Sequence, residues 1–200
     1  MCRQLARLDP AQLILIDQGE FILYSIAREL AEYEGRLEVL ALLADVCDES
    51  ALRHIFLEHR PDVVFHAAAY KHVPLLQSQI RETIRNNVVG TRVVAEASAL
   101  SGCETFVLIS TDKAVNPTSL MGASKRMAEL VCQALDQTSK TRFVTVRFGN
   151  VLGSAGSVVP LFRKQIESGG PVTVTHSDMT RYFMTVSYTH LRAHETLRYL

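Results

Sequence analysis

Residues 104–137, ETFVLISTDKAVNPTSLMGASKRMAELVCQALDQ, decide the fold that this sequence predicts. Their first part, ETFVLIS, is a short run rich in apolar, β-branched and aromatic residues, which is typical of a buried strand. Their last part, LMGASKRMAELVCQALDQ, has the apolar spacing of an amphipathic helix. A strand, a short polar connection and a helix in this order form the repeating unit of an α/β sheet.

The same alternation continues on both sides of this unit. Continuous apolar runs predict parallel strands that are covered on both faces, and segments with helical spacing separate them. We therefore predict the fold class α/β, a doubly wound parallel sheet of Rossmann-like type with right-handed crossovers. The other strands are predicted at residues 12–17 (QLILID), 37–45 (LEVLALLAD), 62–69 (DVVFHAAA) and 142–149 (RFVTVRFG), and the other helices at residues 21–35, 48–60 and 80–102.

The predicted fold lacks the first strand and the glycine-rich loop with which a dinucleotide-binding domain normally begins. The sequence opens instead with MCRQLARLDPAQ, which is typical of the end of a helix that leads into a strand. Two interpretations are open, a fold that never had the loop and a fragment that begins inside its first helix. Asp17 favours the fragment, because it ends a strand where an acidic residue would bind the ribose hydroxyls of a dinucleotide.

The composition argues against several classes of protein. The 200 residues include 21 basic and 21 acidic residues, so no excess charge points to nucleic acid or to an anionic membrane. No apolar run approaches the roughly 20 residues that a membrane helix needs, and no signal-peptide core follows Met1. The four cysteines are isolated, which favours a reducing compartment. We expect a cytoplasmic protein with no nucleic-acid partner and no membrane segment in this chain.

Six motifs in order along the chain carry a resemblance to one family. They are FHAAAYKHVPLL (65–76), NNVVGT (86–91), FVLISTDKAVNPTSLMGASKRMAE (106–129), RFGNVLGSAGSVVPLFRKQI (147–166), GGPVTVTH (169–176) and MTRYFMT (179–185). Together they resemble bacterial nucleotide-sugar 4,6-dehydratases of the polysaccharide-biosynthesis branch that acts on UDP-N-acetylglucosamine. This branch belongs to the extended short-chain dehydrogenase/reductases. The resemblance covers about residues 1–186.

The resemblance divides the chain into three parts. Residues 1–150 are expected to form a partial dinucleotide-binding domain, and residues 151–186 the start of a substrate-binding region. Residues 187–200, SYTHLRAHETLRYL, depart from the family pattern. We interpret them as a non-native tail translated from sequencing-adapter DNA, with a divergent native helix as the alternative. His190 and His194 are four residues apart in this tail, but no third ligand and no HExxH arrangement accompany them, so we predict no metal site.

The resemblance implies a lyase reaction in three steps. The sugar C4 hydroxyl is oxidised with hydride passing to the cofactor, water is eliminated across C5–C6, and the hydride returns to C6. In this scheme Thr111 hydrogen-bonds O4, Asp112 is the acid for the C6 hydroxyl and Lys113 is the base at C5. Lys113 must then be neutral part of the time and Asp112 must hold a proton, which burial would favour in both cases. The alternative is a solvated Asp112–Lys113 ion pair in a surface turn.

Met121 occupies the position, four residues before Lys125, where such sites usually carry a tyrosine. Methionine cannot ionise, so the proton of the C4 hydroxyl would have to pass to Asp112 or to a water between Thr111 and Lys125. The resemblance accommodates methionine, because one subgroup of these dehydratases carries it and is associated with retention at C5. A dead enzyme that lost its tyrosine is the alternative. Lys125 is expected to hydrogen-bond the nicotinamide ribose.

The resemblance also implies a set of cofactor-binding residues and a cofactor, NAD, with NADP allowed. The carboxylate of Asp17, at the end of the strand predicted at residues 12–17, would repel a 2′-phosphate, which favours NAD. The small side chains that end the strand predicted at residues 62–69 would let the backbone approach the cofactor. Asn87 lies inside a predicted helix, where it either ties the active-site backbone together or is simply exposed. The predicted cofactor-binding residues are Asp17, Asp45, Val46, Ala67, Ala68, Ala69, Asn87 and Lys125.

The expected partner is a UDP-sugar substrate. A glycine-rich stretch at residues 153–160 is interpreted as a substrate loop. Arginine suits a diphosphate because its guanidinium offers paired donors. The predicted substrate-binding residues are Tyr70, Lys71, His72, Arg147, Asn150 and Arg181.

Two other functions stay open, a sugar-nucleotide 4-epimerase and a non-catalytic nucleotide-binding module. Met121 favours the module, whereas the intact run of Thr111, Asp112 and Lys113 favours the dehydratase. We expect the full-length protein to be a homo-oligomer and to act in the cytoplasm, with the cytoplasmic face of the inner membrane as an alternative. We expect the 200-residue chain by itself to be inactive.

Overall fold

The structure is a computed structural model that describes residues 1–32, 37–151, 158–174 and 183–184. The chain forms two compact units, Met1–Val146 and Arg147–Leu200. The first unit contains most of the predicted strands and helices. Each unit is considered by itself below.

The first unit alternates strands and helices along its whole length, as the apolar pattern predicts. Its strands are β1 (Gln12–Asp17), β2 (Glu38–Leu43), β3 (Val63–His66), β4 (Thr105–Thr111) and the greater part of β5 (Arg142–Phe148). Its helices are α1 (Cys2–Ala6), α2 (Glu20–Ala31), α3 (Glu49–His59), α4 (Val73–Leu76), α5 (Ile80–Ile84), α6 (Gly90–Ser101) and α7 (Leu120–Asp136).

The strand pairs described in this unit are parallel. β1 runs alongside β2 with Gln12 opposite Glu38, and β3 runs alongside β4 with Val63 opposite Thr105. β5 lies next to β4. The prediction of a parallel α/β sheet is therefore confirmed. In the described part of the chain, however, β1–β2 and β3–β4–β5 are separate groups, because no described strand forms hydrogen bonds with both β1 and β3.

Two hydrophobic clusters hold the first unit together. The larger, called the main core here, lies around β3, β4, α3, α6 and α7, and the smaller, called the front core, lies around β1, α1 and α2. The fully buried members of the main core are Leu52, Phe56, Val93, Val94, Ala95, Ala97, Phe106, Leu108, Ala128 and Cys132. Those of the front core are Ala6, Leu15, Leu23 and Leu30.

The helix ends use local caps that the sequence indicates. Asp48 precedes α3, and its carboxylate accepts a hydrogen bond of 3.0 Å from the Ala51 amide, which makes it the N-cap of this helix. Ser119 precedes α7 and accepts a hydrogen bond of 3.1 Å from the Gly122 amide. These caps fix where both helices begin.

The helix predicted over residues 80–102 is interrupted. The structure has α5, then a π-helical segment, Arg85–Val89, and then α6. Inserted π-turns of this kind are frequent at functional sites. The sequence pattern does not reveal the interruption, because the apolar spacing continues through it.

The second unit is described in part. β6 (Asn150–Val151) pairs in parallel with β7 (Phe183–Met184), and α8 spans Val158–Glu167. Among the helices that the structure describes in either unit, none is long and apolar enough to cross a membrane.

Candidate functional site

The end of β4 carries the three residues predicted to perform the elimination. Thr111 is the last residue of β4, and Asp112 and Lys113 form a 3₁₀ turn directly after it. The Thr111 hydroxyl donates to Asp112 Oδ1 at 2.9 Å, and Lys113 Nζ donates to the same oxygen at 3.0 Å. The three side chains therefore form one hydrogen-bonded group at the carboxyl end of the strand, where ligands of such sheets bind.

The charge state of Asp112 differs from what the acid role requires. Burial raises the pKa of this carboxyl, but the hydrogen bonds from Lys113 and Thr111 and the charge of Lys113 lower it more, so the pKa lies below its ordinary value. The expectation that burial keeps Asp112 protonated is therefore not met in this arrangement. The contacts with Lys113 and Thr111 thus favour the ionised form of Asp112.

Lys125 lies on α7, and its side chain is buried, with 4 % exposed. Its Nζ has no hydrogen-bond partner among the described residues. Burial lowers the pKa of this amine to about 8, against the opposing charges of Cys132 and Glu129. A buried amine without a partner is destabilising, and a polar ligand that accepts its hydrogen bonds would relieve that cost. A ribose hydroxyl has the required chemistry.

Met121 is a packing residue in this structure. Its side chain is buried, with 6 % exposed, and its carbonyl accepts a hydrogen bond of 2.8 Å from the Ser124 hydroxyl. The neighbouring Gly122 allows α7 to approach the 3₁₀ turn, since a Cβ at this position would lie 2.3 Å from the Lys113 carbonyl oxygen. Sequence reasoning missed Gly122, whose only signal is a glycine in the first turn of a helix.

Asn87 is fully buried in the π-helical segment and uses all of its hydrogen-bonding capacity within the protein. Its Nδ2 donates to the Tyr70 carbonyl at 3.1 Å and to Ser124 Oγ at 3.0 Å. Its Oδ1 accepts from the Tyr70 amide at 2.8 Å and from Asn86 Nδ2 at 3.1 Å. The alternative of a simply exposed Asn87 is wrong. The residue ties the loop after β3 to α7, and a direct bond to a cofactor would require breaking one of these contacts.

His66 ends β3 and leads into the loop after it, and it is not among the predicted site residues. Its Nε2 lies 2.9 Å from Thr91 Oγ1, and the Thr91 hydroxyl donates to the Asn87 carbonyl at 2.8 Å, so Nε2 carries the proton of the imidazole. Burial, and next the charge of Lys125, lower the pKa of His66 to about 3. His66 is therefore a neutral structural residue that joins β3 to α6.

The predicted residues after His66 form the surface of this loop. Ala68 and Ala69 are half-buried and Ala67 is exposed, so all three leave room for a ligand to approach the backbone. Tyr70, Lys71 and His72 are exposed. Tyr70 is held through its backbone bonds to Asn87, and the His72 carbonyl accepts a hydrogen bond of 3.1 Å from the Leu76 amide.

The two predicted carboxylates near β1 and β2 differ in what they offer a ligand. Asp17 Oδ1 accepts a hydrogen bond of 2.7 Å from the Gly19 amide, and its side chain is exposed at the end of β1. Asp45 accepts from the Cys47 amide at 2.9 Å through Oδ1 and from Arg85 at 2.8 Å through Oδ2. Burial raises the pKa of Asp45, but these bonds lower it more, so the carboxyl stays ionised.

Val46, predicted to approach the cofactor, is half-buried and packs tightly against the start of α6. A Cβ at Gly90 would lie 2.8 Å from Val46 Cγ2, so only glycine fits there. Together with the Asp45–Arg85 pair, this contact links the loop after β2 to the π-helical segment. Arg85 and Gly90 were not singled out from the sequence.

The remaining predicted residues belong to the second unit or lie outside the described residues. Arg147 is the penultimate residue of β5 and Asn150 begins β6, and both are half-buried. Arg181 lies outside the described residues, as do residues 153–157 of the predicted substrate loop and the tail with His190 and His194. Within the described ranges, no group of three His, Cys, Asp or Glu side chains could hold a metal ion.

A buried glutamate completes the described site and was also missed. Glu129 on α7 is fully buried, accepts a hydrogen bond of 2.6 Å from Ser110 Oγ and pairs with Arg126 at 3.0 Å. The signal in the sequence was a charged residue on the apolar stripe of α7, four positions after Lys125.

Comparison with known proteins gives a family and a fold. The family model described as polysaccharide biosynthesis protein matches residues 1–190. The capsular polysaccharide biosynthesis protein CapD of Staphylococcus aureus is 54% identical over 188 residues, which cover 93% of this chain and 31% of CapD. The chain thus spans about a third of the length of such a relative.

Two relatives with named activities match a smaller part of the chain. The UDP-N-acetylglucosamine 4,6-dehydratase (inverting) of Campylobacter jejuni is 40% identical over 129 residues, covering 62% of this chain and 39% of that enzyme. The UDP-glucose 4-epimerase of Rickettsia canadensis is 40% identical over 131 residues, covering 64% of this chain and 38% of that enzyme. Sequence identity alone does not separate the two reactions.

Solved structures confirm the Rossmann-like fold. Pen from Bacillus thuringiensis superposes with a TM-score of 0.83 at 30% identity. The match covers 92% of this chain and 58% of the Pen chain. The dTDP-glucose 4,6-dehydratase DesIV from Streptomyces venezuelae, solved with NAD bound, superposes with a TM-score of 0.76 at 22% identity. That match covers 92% of this chain and 63% of DesIV.

Proposed function

The chain belongs to the polysaccharide biosynthesis protein family, and we propose that it forms the cofactor-binding and catalytic core of a UDP-N-acetylglucosamine 4,6-dehydratase. One observation carries the proposal. The hydrogen-bonded group of Thr111, Asp112 and Lys113 ends β4, and the helix that packs against it contributes a buried Lys125 with an unpartnered Nζ. The reaction needs an acid, a base and a cofactor-binding cation, and these residues have that chemistry.

The proposed cofactor is NAD, which would accept a hydride from the sugar and later return it. Lys125 Nζ would donate to the hydroxyls of the nicotinamide ribose, because nothing described in the protein accepts its hydrogen bonds. Asp17 Oδ2 would accept from the adenosine ribose, since only Oδ1 is used by the Gly19 amide. Ala67, Ala68 and Ala69 would leave the backbone accessible. Asp45 and Val46, in the loop after β2, would shape the part of the site that holds the adenine.

The elimination would use the coupling between Lys113 and Asp112. Lys113 Nζ, when neutral, takes the proton from C5. Asp112 gives a proton from its carboxyl to the C6 hydroxyl, which leaves as water. The two groups share a hydrogen bond of 3.0 Å, so deprotonation of one favours protonation of the other. The pairing would let Asp112 act as an acid despite its low pKa, because a neutral Lys113 no longer supplies the charge that lowers that pKa.

Methionine at position 121 restricts where the proton of the C4 hydroxyl can go. The buried Met121 has no ionisable group, so the proton would pass to Asp112 or to a water between Thr111 and Lys125. Thr111 would position O4 by donating its hydroxyl hydrogen in place of its present bond to Asp112. The absence of a tyrosine is compatible with this chemistry.

The proposed substrate is a UDP-sugar, for which the exposed Tyr70, Lys71 and His72 would form one side of the site. Arg147, Asn150 and Arg181 stay proposed contacts to the diphosphate. The Campylobacter jejuni relative acts on UDP-N-acetylglucosamine by its name, and this supports the choice of sugar. The homo-oligomeric state, the cytoplasmic location and the alternative at the inner membrane stay predictions.

A 4-epimerase is the second candidate, favoured by the Rickettsia canadensis relative. An epimerase returns the hydride to C4 and has no use for an acid and a base at C5 and C6. The paired Asp112 and Lys113 therefore favour the dehydratase. A non-catalytic nucleotide-binding module is disfavoured by the same pair.

The test is the product formed by a version of the protein extended to the length of its relatives. This protein is incubated with UDP-N-acetylglucosamine and catalytic NAD, and the sugar is followed by NMR. A 4-keto-6-deoxy product supports the proposal, UDP-N-acetylgalactosamine indicates the epimerase, and an unchanged sugar in the presence of bound NAD indicates the binding module. Robust turnover by the 200-residue chain alone would contradict the expectation that it is inactive.

A further inference from the structure

A buried carboxylate lies directly beneath the catalytic end of β4. Glu129 has no solvent-exposed surface, and its Oε1 accepts a hydrogen bond of 2.6 Å from the Ser110 hydroxyl. Its Oε2 accepts one of 3.0 Å from Arg126. Charged groups are rarely buried in this way unless their partners satisfy them, as these two do.

Ser110 is a polar residue on the otherwise apolar buried face of β4. Alternate residues of β4 face the main core, and Ser110 follows Phe106 and Leu108 on that buried face. An apolar residue would fill this position without needing a partner. A serine bonded to a buried carboxylate is the costlier arrangement, so a role beyond packing is the simplest physical reason for it.

The Ser110–Glu129 bond joins the two elements that carry the proposed catalytic groups. Ser110 directly precedes Thr111, whereas Glu129 lies one helical turn after Lys125 on α7. The close packing of Gly122 against the Lys113 carbonyl is a second contact between the same two elements. The turn of Thr111, Asp112 and Lys113 is thus held against α7 at both ends, by the Ser110–Glu129 hydrogen bond and by the packing of Gly122.

We propose that Glu129 is a positioning residue that, through Ser110, holds Thr111, Asp112 and Lys113 in register with Lys125. The inference rests on the proposed function, since it assigns a purpose to the same site. Glu129 touches neither substrate nor cofactor in this account. It acts by fixing the distance between the group that performs the elimination and the amine that binds the ribose.

Glu129 also acts on Lys125 through its charge. Burial lowers the pKa of Lys125, and Cys132 and then Glu129 raise it, while His66 faces the amine from β3 and is neutral. Asp112 and Lys113 lie on the turn that packs against α7. Removing the Glu129 charge should therefore lower the pKa of Lys125 further. This second effect can be measured without any turnover.

The experiment compares three variants in the extended protein. Ser110→Ala removes the bond between β4 and α7. Glu129→Gln keeps an oxygen that can accept from Ser110 but removes the charge. Ser98→Ala is the matched control, because Ser98 is an equally buried hydroxyl whose bond of 2.7 Å goes to the Val94 carbonyl on its own helix. All three are characterised by melting temperature, kcat, KM and NAD affinity.

We expect Ser110→Ala to lower kcat about tenfold while KM stays within about twofold, as for a small displacement of catalytic groups. Glu129→Gln should retain more of kcat than Ser110→Ala, because the conservative amide preserves the link. Ser98→Ala should lower the melting temperature and leave kcat unchanged. Equal kcat values for Ser110→Ala and the wild type, or an equal loss of kcat in Ser98→Ala, would overturn the proposal.

A second measurement tests the positioning role of Glu129 independently of whether the proposed reaction takes place. The side-chain amines are labelled with ¹⁵N, and the pKa of Lys125 is followed by NMR with and without NAD. A lower pKa in Glu129→Gln, with weaker NAD binding in Ser110→Ala but not in Ser98→Ala, supports the positioning role even if no sugar is converted. Unchanged Lys125 titration and NAD affinity in a protein that does convert the sugar would refute it.

Discussion

The main core and the front core of the first unit differ in how well they are buried. The main core has ten buried residues drawn from one strand, β4, and three helices, whereas the front core has four. Next to the front core, Phe21 and Ile22 on α2 are 81 % and 65 % exposed. The proposed catalytic residues lie on the main core, and Asp17 lies on the front core. The proposed chemistry thus lies in the better-buried half of the unit.

The difference has a simple physical origin. A pair of strands covered on one side by one long helix buries little apolar surface and is marginal by itself. β1 and β2 form such a pair, and α1 adds the buried Ala6, the half-buried Cys2 and an ion pair between Arg3 and Glu29. β3, β4 and β5 are packed by α3, α6 and α7, which buries Phe106 and Leu108 completely. Substitutions in the two cores should therefore differ in their effects on turnover and on the free energy of unfolding.

The largest expected effect is on turnover, from Lys113→Ala in the extended protein. Loss of the proposed C5 base should lower the elimination rate by at least about 100-fold, which is the usual contribution of a general base. The rate is followed by formation of the 4-keto product. Lys140→Ala, which removes an exposed lysine beyond the end of α7, is the control and should leave the rate unchanged. A Lys113→Ala protein with the wild-type rate would remove Lys113 from the mechanism.

The next largest effect is on stability, from paired leucine truncations in the two cores. Leu108→Ala should destabilise the fold by about 3 kcal/mol, because a fully buried leucine leaves a cavity in a densely packed region. Leu15→Ala should have a smaller effect, about 2 kcal/mol, since the front core can relax around the change. Both are measured by urea unfolding and by hydrogen exchange. Faster exchange in β4 than in β1 of the unsubstituted protein would reverse the proposed ranking of the two cores.

The last effect is absent at neutral pH and concerns the response of the main core to acid. His66 has a pKa of about 3 in the fold, below the ordinary value of 6.5, so it stays neutral when folded and charges when unfolded. The stability that this provides is complete above pH 6.5 and declines as the pH falls towards 3, by at most about 1.4 kcal/mol for each pH unit. His66→Gln should flatten this decline in urea unfolding measured between pH 6.5 and 4.

The control for that experiment is His54→Gln, which changes an exposed histidine paired with Glu58 on α3. Its pH dependence should match the wild type. An equally steep decline in His66→Gln would mean that other groups, and not the buried imidazole, make the fold sensitive to acid.

Much of the fold could be predicted because its signals are local. The alternation of strands and helices follows from apolar spacing, and the cap at Asp48 follows from a side chain three residues from the amide it binds. The run from Thr111 to Lys113 was selected because its motif resembles that of the nucleotide-sugar 4,6-dehydratases. The π-helical segment was missed, and the hydrogen bonds of its Asn87 go to Tyr70 and Ser124, which lie 17 and 37 residues away in the sequence.

The sequence by itself determined the parallel α/β class, the position of the candidate catalytic turn and the unusual methionine at position 121. Only the tertiary structure decided that Lys125 is buried without a partner, that Lys113 lowers the pKa of Asp112, and that Glu129 connects α7 to β4. Apolar spacing and capping depend on neighbours within a few residues, whereas pairing and desolvation depend on which distant segments meet. The properties that decide the chemistry of this protein are of the second kind.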